Sequence, residues 1–317
     1  MIQDLIIYLI SFAALWVGSG LVVSSVEKFA KDIKIKSFII SFFVLGILTS
    51  VTEFFVTINS IIEKKPEVAA GNLLGGIAVI FLFIFPIVAI GSNGVKLLRD
   101  LNIFKLVSAL AVVALPSILI FDGKVNLIEG SAFILGYIAL TIIIQKQEKV
   151  IKNIEKIAHK PKKTYEMEAL FIIVGLVMVF IASHFIVDKT LLFSEILHVP
   201  AFLVSLFVLS IGTNIPEISI ALRSLVNKSN EVAIGDYLGS AAANTLIFGI
   251  LVIGFGEGIE ITDNNFYITT FFIIISLILF FFFALTKKNI SRREGVILLL
   301  VFIAFILSQS IIDTKAY

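Results

Sequence analysis

The chain has 317 residues, of which 59% are hydrophobic and only 15% are charged, with a formal net charge of +2 at pH 7. Soluble domains carry roughly 25% charged residues, so this composition and a mean hydropathy of +1.08 exclude an ordinary soluble domain and give no reason to expect nucleic acid as a partner. No cysteine is present, which excludes disulfides, thiolate metal sites and cysteine nucleophiles.

Apolar runs of the roughly 20 residues that a helix needs to cross a bilayer alternate with short polar stretches. Each run is interpreted as one membrane span: Leu5–Val26, Ser37–Ile62, Val68–Ile90, Ile103–Ile120, Leu127–Ile144, Ala169–Val187, Pro200–Leu225, Val232–Phe255, Phe266–Leu285 and Gly295–Ile311. The first ten residues contain no Lys or Arg, so no cleaved signal peptide is expected. The prediction is an all-α, multi-pass protein of the cell membrane with ten transmembrane helices.

The basic residues are distributed unevenly between the loops. Twenty of the 25 lie in alternate loops, beginning with the loop between the first two runs. By the positive-inside rule these loops are cytoplasmic, so both termini are predicted to lie outside the cytoplasm. An error in the number of spans would exchange the two sides partway along the chain and remove this uneven distribution of basic residues. The basic stretch 145–168 is predicted to be a cytoplasmic loop, a solvated linker or a contact for anionic lipid, between a first half (1–144) and a second half (169–317).

The two halves share a repeated segment. Residues 41–80 align without a gap on residues 205–244, at a constant offset of 164, and 16 of the 40 positions are identical. The second and seventh spans are five apart, so they are predicted to cross the membrane in opposite senses. We therefore expect two inverted five-helix repeats, with the repeated segments at about 37–90 and 200–255. Secondary transporters of this architecture place their site near the midplane, where the repeats meet.

Two glutamates, Glu53 and Glu217, occupy equivalent positions near the middle of a span in each half. A carboxylate at the centre of a membrane helix is unfavourable by about 2.5–3.5 kcal/mol on insertion scales, so a symmetric pair indicates function rather than a structural pairing. The neighbouring positions carry further oxygen atoms: Thr49 and Ser50 in the first half, Thr213 and Asn214 in the second.

The second half contains two further signals. Pro216 lacks an N–H group and is expected to break its helix, freeing a carbonyl oxygen near Gly212. In the next span Asp236, Ser240 and Asn244 are spaced four apart and share one helical face. Glycines in both following spans allow close helix approach: Gly71, Gly75, Gly235 and Gly239.

These side chains together offer carboxylate, hydroxyl, amide and carbonyl oxygens without a soft ligand. Hard cations such as Ca²⁺ and Na⁺ prefer such ligands, whereas zinc or copper would favour His and Cys. The histidines are expected to be peripheral: His159, His184 and His198. The predicted partners are therefore inorganic cations and the lipid bilayer, and no cofactor is expected.

At these residues the sequence resembles the sodium/calcium exchanger family, within the larger cation/calcium antiporter group. The family motifs, G-T-S-L-P-E followed by G-N-x-x-G-S, correspond to 212–217 with 235–240, and in the first half to 49–53 with 71–76. The resemblance covers nearly the whole chain. It implies alternating-access exchange around Glu53 and Glu217, with further oxygen atoms from Thr49, Ser50, Thr213, Asn214, Ser240 and Asn244.

The sequence departs from the family pattern at several of these positions. Gly76 and Ile80 stand where family members carry a serine and a polar residue, and Thr52 replaces the first-repeat proline. Asn214 replaces a serine and Asn244 an aspartate. Asp236 stands where an asparagine is usual and adds a carboxylate nearer the cytoplasm. Fewer ions per cycle, proton coupling and a different cation are therefore all open.

Exchange of Na⁺ for Ca²⁺ is the leading expectation. A proton-coupled exchanger of Ca²⁺ or another cation is the close alternative, because intramembrane carboxylates also serve as proton sites. A channel is disfavoured, since paired carboxylates in inverted halves suit an occluded site, and a transport-dead scaffold or regulator is a further alternative. An enzyme is not expected, because the H-E-x-x-H and G-x-S-x-G motifs are absent.

Overall fold

A computed structural model describes residues 2–32, 40–92, 94–96, 103–146, 166–227, 230–261, 266–287 and 289–313. These residues are nearly all helical. In the first half the helices are α1 (Ile2–Asp32), α2 (Gly46–Thr49), α3 (Val51–Ile62), α4 (Pro66–Val79), α5 (Phe85–Gly91), α6 (Ile103–Leu119) and α7 (Leu127–Lys146). In the second half they are α8 (Glu166–Leu197), α9 (Ala201–Val204), α10 (Ser210–Thr213), α11 (Ile215–Asn227), α12 (Asn230–Phe255), α13 (Phe266–Lys287) and α14 (Arg292–Asp313).

Three π-helical turns interrupt these helices: Ile40–Leu45 before α2, Ile80–Ile84 between α4 and α5, and Ser205–Leu209 between α9 and α10. We call residues 40–62 the first broken helix and residues 201–227 the second broken helix. Residues 66–91 form the first central helix, and α12 is the second central helix. The two broken helices, like the two central helices, are related by the offset of 164 that the sequence repeat predicts.

The helices agree with the predicted multi-pass membrane protein. Among the described residues six helices are long and apolar enough to cross a membrane, or up to seven if the second broken helix counts as one span. The number of ten crossings and the position of the termini stay predictions. Residues 147–165, which hold most of the predicted cytoplasmic loop, lie outside the described residues, and the predicted domain boundaries stay predictions with them.

Helix α8 is longer than the predicted span Ala169–Val187, since it continues to Leu197. Its additional turns begin with Asp188 and Lys189, and Lys189 lies 3.3 Å from Asp4 of α1 and 3.0 Å from Asp188. Ion pairs and backbone hydrogen bonds maintain a helix beyond the apolar layer, whereas an apolar run marks only the part that faces lipid. Hydropathy therefore predicted the position of the span but underestimated the length of the helix.

The two central helices form the middle of the molecule. In their most apolar windows 83% of the first and 72% of the second central helix is buried, against 28–39% for the other span-length helices. Each contacts the broken helix of the other half. An added Cβ at Gly75 would meet the carbonyl oxygen of Leu206, and one at Gly239 would meet that of Phe42. These two contacts are equivalent at the offset of 164, and they bring the broken helices against the centre.

Two short strand pairs connect loops of the two halves. Strand β1 (Val95–Lys96) pairs antiparallel with β4 (Asn289–Ile290), and β2 (Lys124–Val125) pairs antiparallel with β3 (Ile259–Glu260). The Lys124 ammonium lies 2.9 Å from the Glu260 carboxylate, and this hydrogen bond raises the pKa of Lys124. Two-residue strands are too short for a sequence periodicity, so they were not predicted.

Candidate cation site

Both broken helices are interrupted at equivalent residues in the middle of the protein. The first is interrupted at Ser50 (φ −77°, ψ 5°) and the second at Asn214 (φ −84°, ψ 13°), each in a sparsely populated backbone region. The second broken helix bends there by 44°. The predicted break near Pro216 is therefore present, but its centre is Asn214, two residues beyond Gly212.

The break at Ser50 was not predicted, because no proline lies nearby. Instead, side-chain hydroxyl groups form hydrogen bonds with the backbone carbonyls of the preceding turn. Thr49 Oγ1 lies 3.0 Å from the carbonyl oxygen of Leu45, and Ser50 Oγ donates to Gly46 at 2.8 Å. Such side-chain bonds to the carbonyl four residues earlier bend helices. The break in the first half is therefore associated with hydroxyl groups, whereas the break in the second half is associated with a proline.

The two breaks place the glutamates at the starts of new helices. Glu53 lies in the first turn of α3 and Glu217 in the first turn of α11, and both are fully buried. The positive end of a helix dipole favours a carboxylate at this place. A continuous helix would provide no such N-terminus in its middle.

Glu53 takes its hydrogen bonds from two side chains of different halves. The hydroxyl of Thr52 donates to Glu53 Oε2 at 2.5 Å, and Nδ2 of Asn214 lies 3.4 Å from Glu53 Oε1. The Thr52 oxygen also lies 3.1 Å from the carbonyl oxygen of Thr213. Thr52 has a single hydroxyl proton, and its shortest contact is the one to Glu53. Both carboxylate oxygens of Glu53 thus have protein donors.

Glu217 is held differently. Ser240 of the second central helix donates its hydroxyl to Glu217 Oε1 at 2.9 Å, and the hydroxyl oxygens of Ser240 and Ser50 lie 3.1 Å apart. Glu217 Oε2 is buried and accepts no hydrogen bond from the described residues. An ionised carboxylate accepts about four hydrogen bonds, so this oxygen retains capacity for a ligand.

Two further contacts join the halves at equivalent positions. The hydroxyl of Thr49 lies 3.3 Å from Asp236 Oδ1, and that of Thr213 lies 3.0 Å from Asn72 Oδ1. Thr49 and Thr213 are related by the offset of 164, as are Asn72 and Asp236. In each case a broken helix of one half reaches the central helix of the other. The site is therefore built between the repeats rather than within one of them.

Asn244 lies one turn beyond Ser240 on the second central helix. Its Nδ2 is 3.5 Å from the carbonyl oxygen of Leu73, and its Oδ1 has no partner among the described residues. An added Cβ at Gly76 would lie 2.9 Å from Asn244 Nδ2 and 3.2 Å from Asn214 Nδ2. The two amide groups therefore lie side by side against Gly76.

All nine predicted site residues have at most 1% of their surface exposed: Thr49, Ser50, Glu53, Thr213, Asn214, Glu217, Asp236, Ser240 and Asn244. The structure also adds Thr52 and Asn72, which were not predicted as site residues. The repeat could have identified Asn72, because it is the counterpart of Asp236. Thr52 has a proline as its counterpart, so the repeat contains no signal for it. Ion binding by this set stays a prediction.

The ligands available here are mainly neutral oxygens. Among the described residues no group of three or more His, Asp or Glu side chains is arranged to hold a metal ion. An ion at this place would therefore take hydroxyl, amide and carbonyl oxygens beside a carboxylate. His184 and His198 are exposed, as expected, and His159 lies outside the described residues.

The sequence matches a known protein family and individual relatives. Residues 4–145 and 167–311 match the family model described as sodium/calcium exchanger protein. The chain is 24% identical over 258 residues to the inner membrane protein YrbG of Escherichia coli, covering 75% of this chain and 78% of that protein. It is 25% identical over 126 residues to a Ca²⁺/H⁺ antiporter of Aphanothece halophytica, covering 39% of this chain and 34% of that one.

The fold matches a solved structure over nearly its full length. That structure is the sodium-calcium exchanger NCX_Mj soaked with 100 mM Na⁺ and 10 mM Sr²⁺, with a TM-score of 0.70 and 20% sequence identity. The match covers 97% of this chain and 98% of that chain. At this level of identity the likeness concerns the fold alone.

Proposed function

Because this chain belongs to the sodium/calcium exchanger protein family, whose model matches most of its length, we propose that it is a secondary active antiporter that exchanges Na⁺ for Ca²⁺ across the cell membrane. The family is one of transport proteins, and this chain is an integral multi-pass membrane protein. The exchange takes place at the site between the broken helices, with Glu53 and Glu217 as its central carboxylates.

The observation that carries this proposal is a pair of buried carboxylates without a basic partner. Glu53 and Glu217 are fully buried, and within the described part of the chain their donors are hydroxyl and amide groups. A buried charge without a counter-charge is unfavourable by several kcal/mol. Two such buried carboxylates are stabilised by cations or protons bound between the helices, and a cation carrier supplies such ions.

The ligand set favours Ca²⁺ and Na⁺ over other ions. One Ca²⁺ neutralises two carboxylates, and it accepts six to eight oxygen ligands in flexible geometry. Hydroxyl, amide and backbone carbonyl oxygens at the two breaks supply such ligands. Na⁺ binds the same hard oxygen atoms, so the two ions compete for one site, as exchange requires.

Alternating access follows from the repeat. We propose ten transmembrane helices arranged as two inverted five-helix halves, 1–144 and 169–317. The recurrence of the same breaks, glycine contacts and threonine contacts at an offset of 164 supports this arrangement. Two similar halves in opposite orientations can exchange conformations, which opens a site between them to one side and then to the other.

The strand pairs support the proposed membrane sides. The loops that contain β1 and β4 are both predicted to be cytoplasmic, and the loops that contain β2 and β3 are both predicted to lie outside. Each strand pair therefore joins loops of the same side, as a membrane requires. An odd miscount of spans between them would have paired loops from opposite sides. Both termini lie outside the cytoplasm in this topology.

Proton-coupled Ca²⁺ exchange is the second candidate. Gly76 and Ile80, the counterparts of Ser240 and Asn244, offer no side-chain oxygen. Fewer oxygens on the first-half side leave less coordination for additional Na⁺ ions, and a carboxylate can bind a proton instead. The Ca²⁺/H⁺ antiporter among the relatives belongs to this class of transporter.

Uptake of ⁴⁵Ca²⁺ into proteoliposomes tests the proposal. Vesicles loaded with Na⁺ are diluted into Na⁺-free buffer, and a parallel set has an imposed pH gradient without Na⁺. We expect uptake that requires internal Na⁺. The variant Glu53→Gln removes one central charge and should abolish this uptake, whereas Glu63→Gln, at the exposed end of the same helix, should not affect it.

Each other result has a definite meaning. Uptake driven only by the pH gradient would replace Na⁺ by H⁺ as the counter-ion. No uptake in either set would favour a transport-dead scaffold or another cation. Normal Na⁺-driven uptake by Glu53→Gln would contradict the role of the carboxylate pair.

A further inference from the structure

The two glutamates receive their hydroxyl donors from different places. In the second half Ser240 of the central helix donates to Glu217 at 2.9 Å. The counterpart of Ser240 in the first half is Gly76, which has no hydroxyl. Glu53 instead takes its hydroxyl bond from Thr52, the preceding residue of its own helix, where the second half has Pro216. The hydroxyl donor therefore lies on the facing helix in the second half and on the glutamate's own helix in the first half.

Amide groups occupy the space beside Gly76. The Nδ2 atoms of Asn214 and Asn244 lie 3.2 Å and 2.9 Å from the position of an added Cβ. The orientation of Asn214 follows from its partners, because its Nδ2 lies 2.8 Å from the carbonyl oxygen of Ser210 and faces Glu53 Oε1. Both of these partners are acceptors, so a nitrogen must face them. N–H donors on the first-half side repel a cation there.

The unused acceptors belong to the other side of the site. Buried oxygens without a hydrogen-bond partner among the described residues include Asn214 Oδ1, Glu217 Oε2 and Asn244 Oδ1. A buried acceptor without a partner is unfavourable, and a bound cation satisfies it. Glu53 is in a different situation, because Thr52 and Asn214 already contact its two oxygens.

We propose that the two glutamates have unequal roles and that Thr52 is the positioning residue that makes them unequal. This inference rests on the proposed cation exchange. Glu217 binds the cation directly, together with the amide oxygens of Asn214 and Asn244. Glu53 contributes its negative charge while the Thr52 hydroxyl holds its carboxylate, and Thr52 thereby replaces the hydroxyl that Gly76 lacks.

Equilibrium binding of ⁴⁵Ca²⁺ and ²²Na⁺ to the purified full-length protein tests this division. Thr52→Val keeps the shape of the side chain but removes the hydroxyl, and we expect it to weaken ⁴⁵Ca²⁺ binding about tenfold, as the loss of one bond to a charged group implies. Thr52→Ser keeps the hydroxyl and should retain wild-type affinity. Glu217→Gln should weaken binding more than Glu53→Gln does.

A double variant gives the most discriminating test, because it removes the hydroxyl of Thr52 and places a hydroxyl on the facing helix, as in the second half. In Thr52→Val/Gly76→Ser the new side chain meets only the Nδ2 ends of two amide groups rather than backbone, and its hydroxyl can serve Glu53 as Ser240 serves Glu217. We expect the double variant to recover most of the lost affinity. A merely structural role of Thr52 predicts no such recovery. The unfolding temperature of each variant shows whether it is folded.

The outcomes separate this inference from the proposed function. A wild-type protein that neither binds ⁴⁵Ca²⁺ nor exchanges it would overturn both. A wild-type protein that exchanges Na⁺ for Ca²⁺ while folded Thr52→Val binds equally well would overturn the role of Thr52 alone. Equal losses in Glu53→Gln and Glu217→Gln would overturn the unequal roles.

Discussion

The close contact between the second central helix and the first broken helix can be tested at Gly239. An alanine Cβ there would meet the carbonyl oxygen of Phe42 and lie 2.8 Å from its carbonyl carbon, where ordinary contact begins at 3.4 Å. The neighbours are backbone atoms, so no rotamer change can relieve the overlap. In Gly239→Ala the two helices must therefore separate by more than half an ångström.

This separation has a calculable effect on stability and on the site. Overpacking of this kind is unfavourable by about 1–3 kcal/mol, and the higher helix propensity of alanine offsets about 0.5–1 kcal/mol of it. The same two helices carry the 3.1 Å contact between Ser50 and Ser240 and the 3.3 Å contact between Thr49 and Asp236. Both contacts would exceed the roughly 3.5 Å at which a hydrogen bond is lost.

The assay combines thermal unfolding in detergent with Na⁺-driven ⁴⁵Ca²⁺ uptake in proteoliposomes. We expect Gly239→Ala to unfold at a lower temperature and to lose most of its uptake. Gly20→Ala is the matched control, because a Cβ at this exposed position of α1 meets nothing within 4 Å. The argument is refuted if both variants keep wild-type stability and uptake.

Two further predictions concern the site and the membrane topology. Ser240→Ala removes the hydroxyl that contacts both Glu217 and the first broken helix, so ⁴⁵Ca²⁺ affinity should fall about tenfold; the exposed Ser131→Ala is its control, and equal affinities would contradict the assignment. Because the chain has no cysteine, Glu260→Cys and Arg293→Cys each introduce a unique thiol. A membrane-impermeant maleimide should label the first in intact cells but the second only after permeabilisation, and the opposite pattern would place the termini inside.

The predicted site residues that the structure buries together were chosen from local chemistry and from the repeat. Glu53 and Glu217 can be identified from the sequence alone, because a charged residue within an apolar run is unfavourable however the helix packs against its neighbours. The prediction of a break at Pro216 used a covalent property of one residue. The break at Ser50 has no such marker, since it accompanies hydroxyl groups that could equally have pointed elsewhere. Thr52 was missed for the same reason.

By itself, the sequence determined the membrane class, the positions of the apolar helices, the repeat at an offset of 164 and the equivalence of Glu53 and Glu217 in that repeat. Each of these depends on hydropathy or identity along the chain, which requires no knowledge of packing. Only the tertiary structure decided which hydroxyl meets which carboxylate, how far α8 continues beyond the apolar layer, and that Asn72 belongs to the site. The contacts of Asn72 with Thr213 and of Lys189 with Asp4 join residues more than a hundred positions apart. Even between near neighbours such as Thr52 and Glu53, the direction of each side chain is set by its neighbours in space.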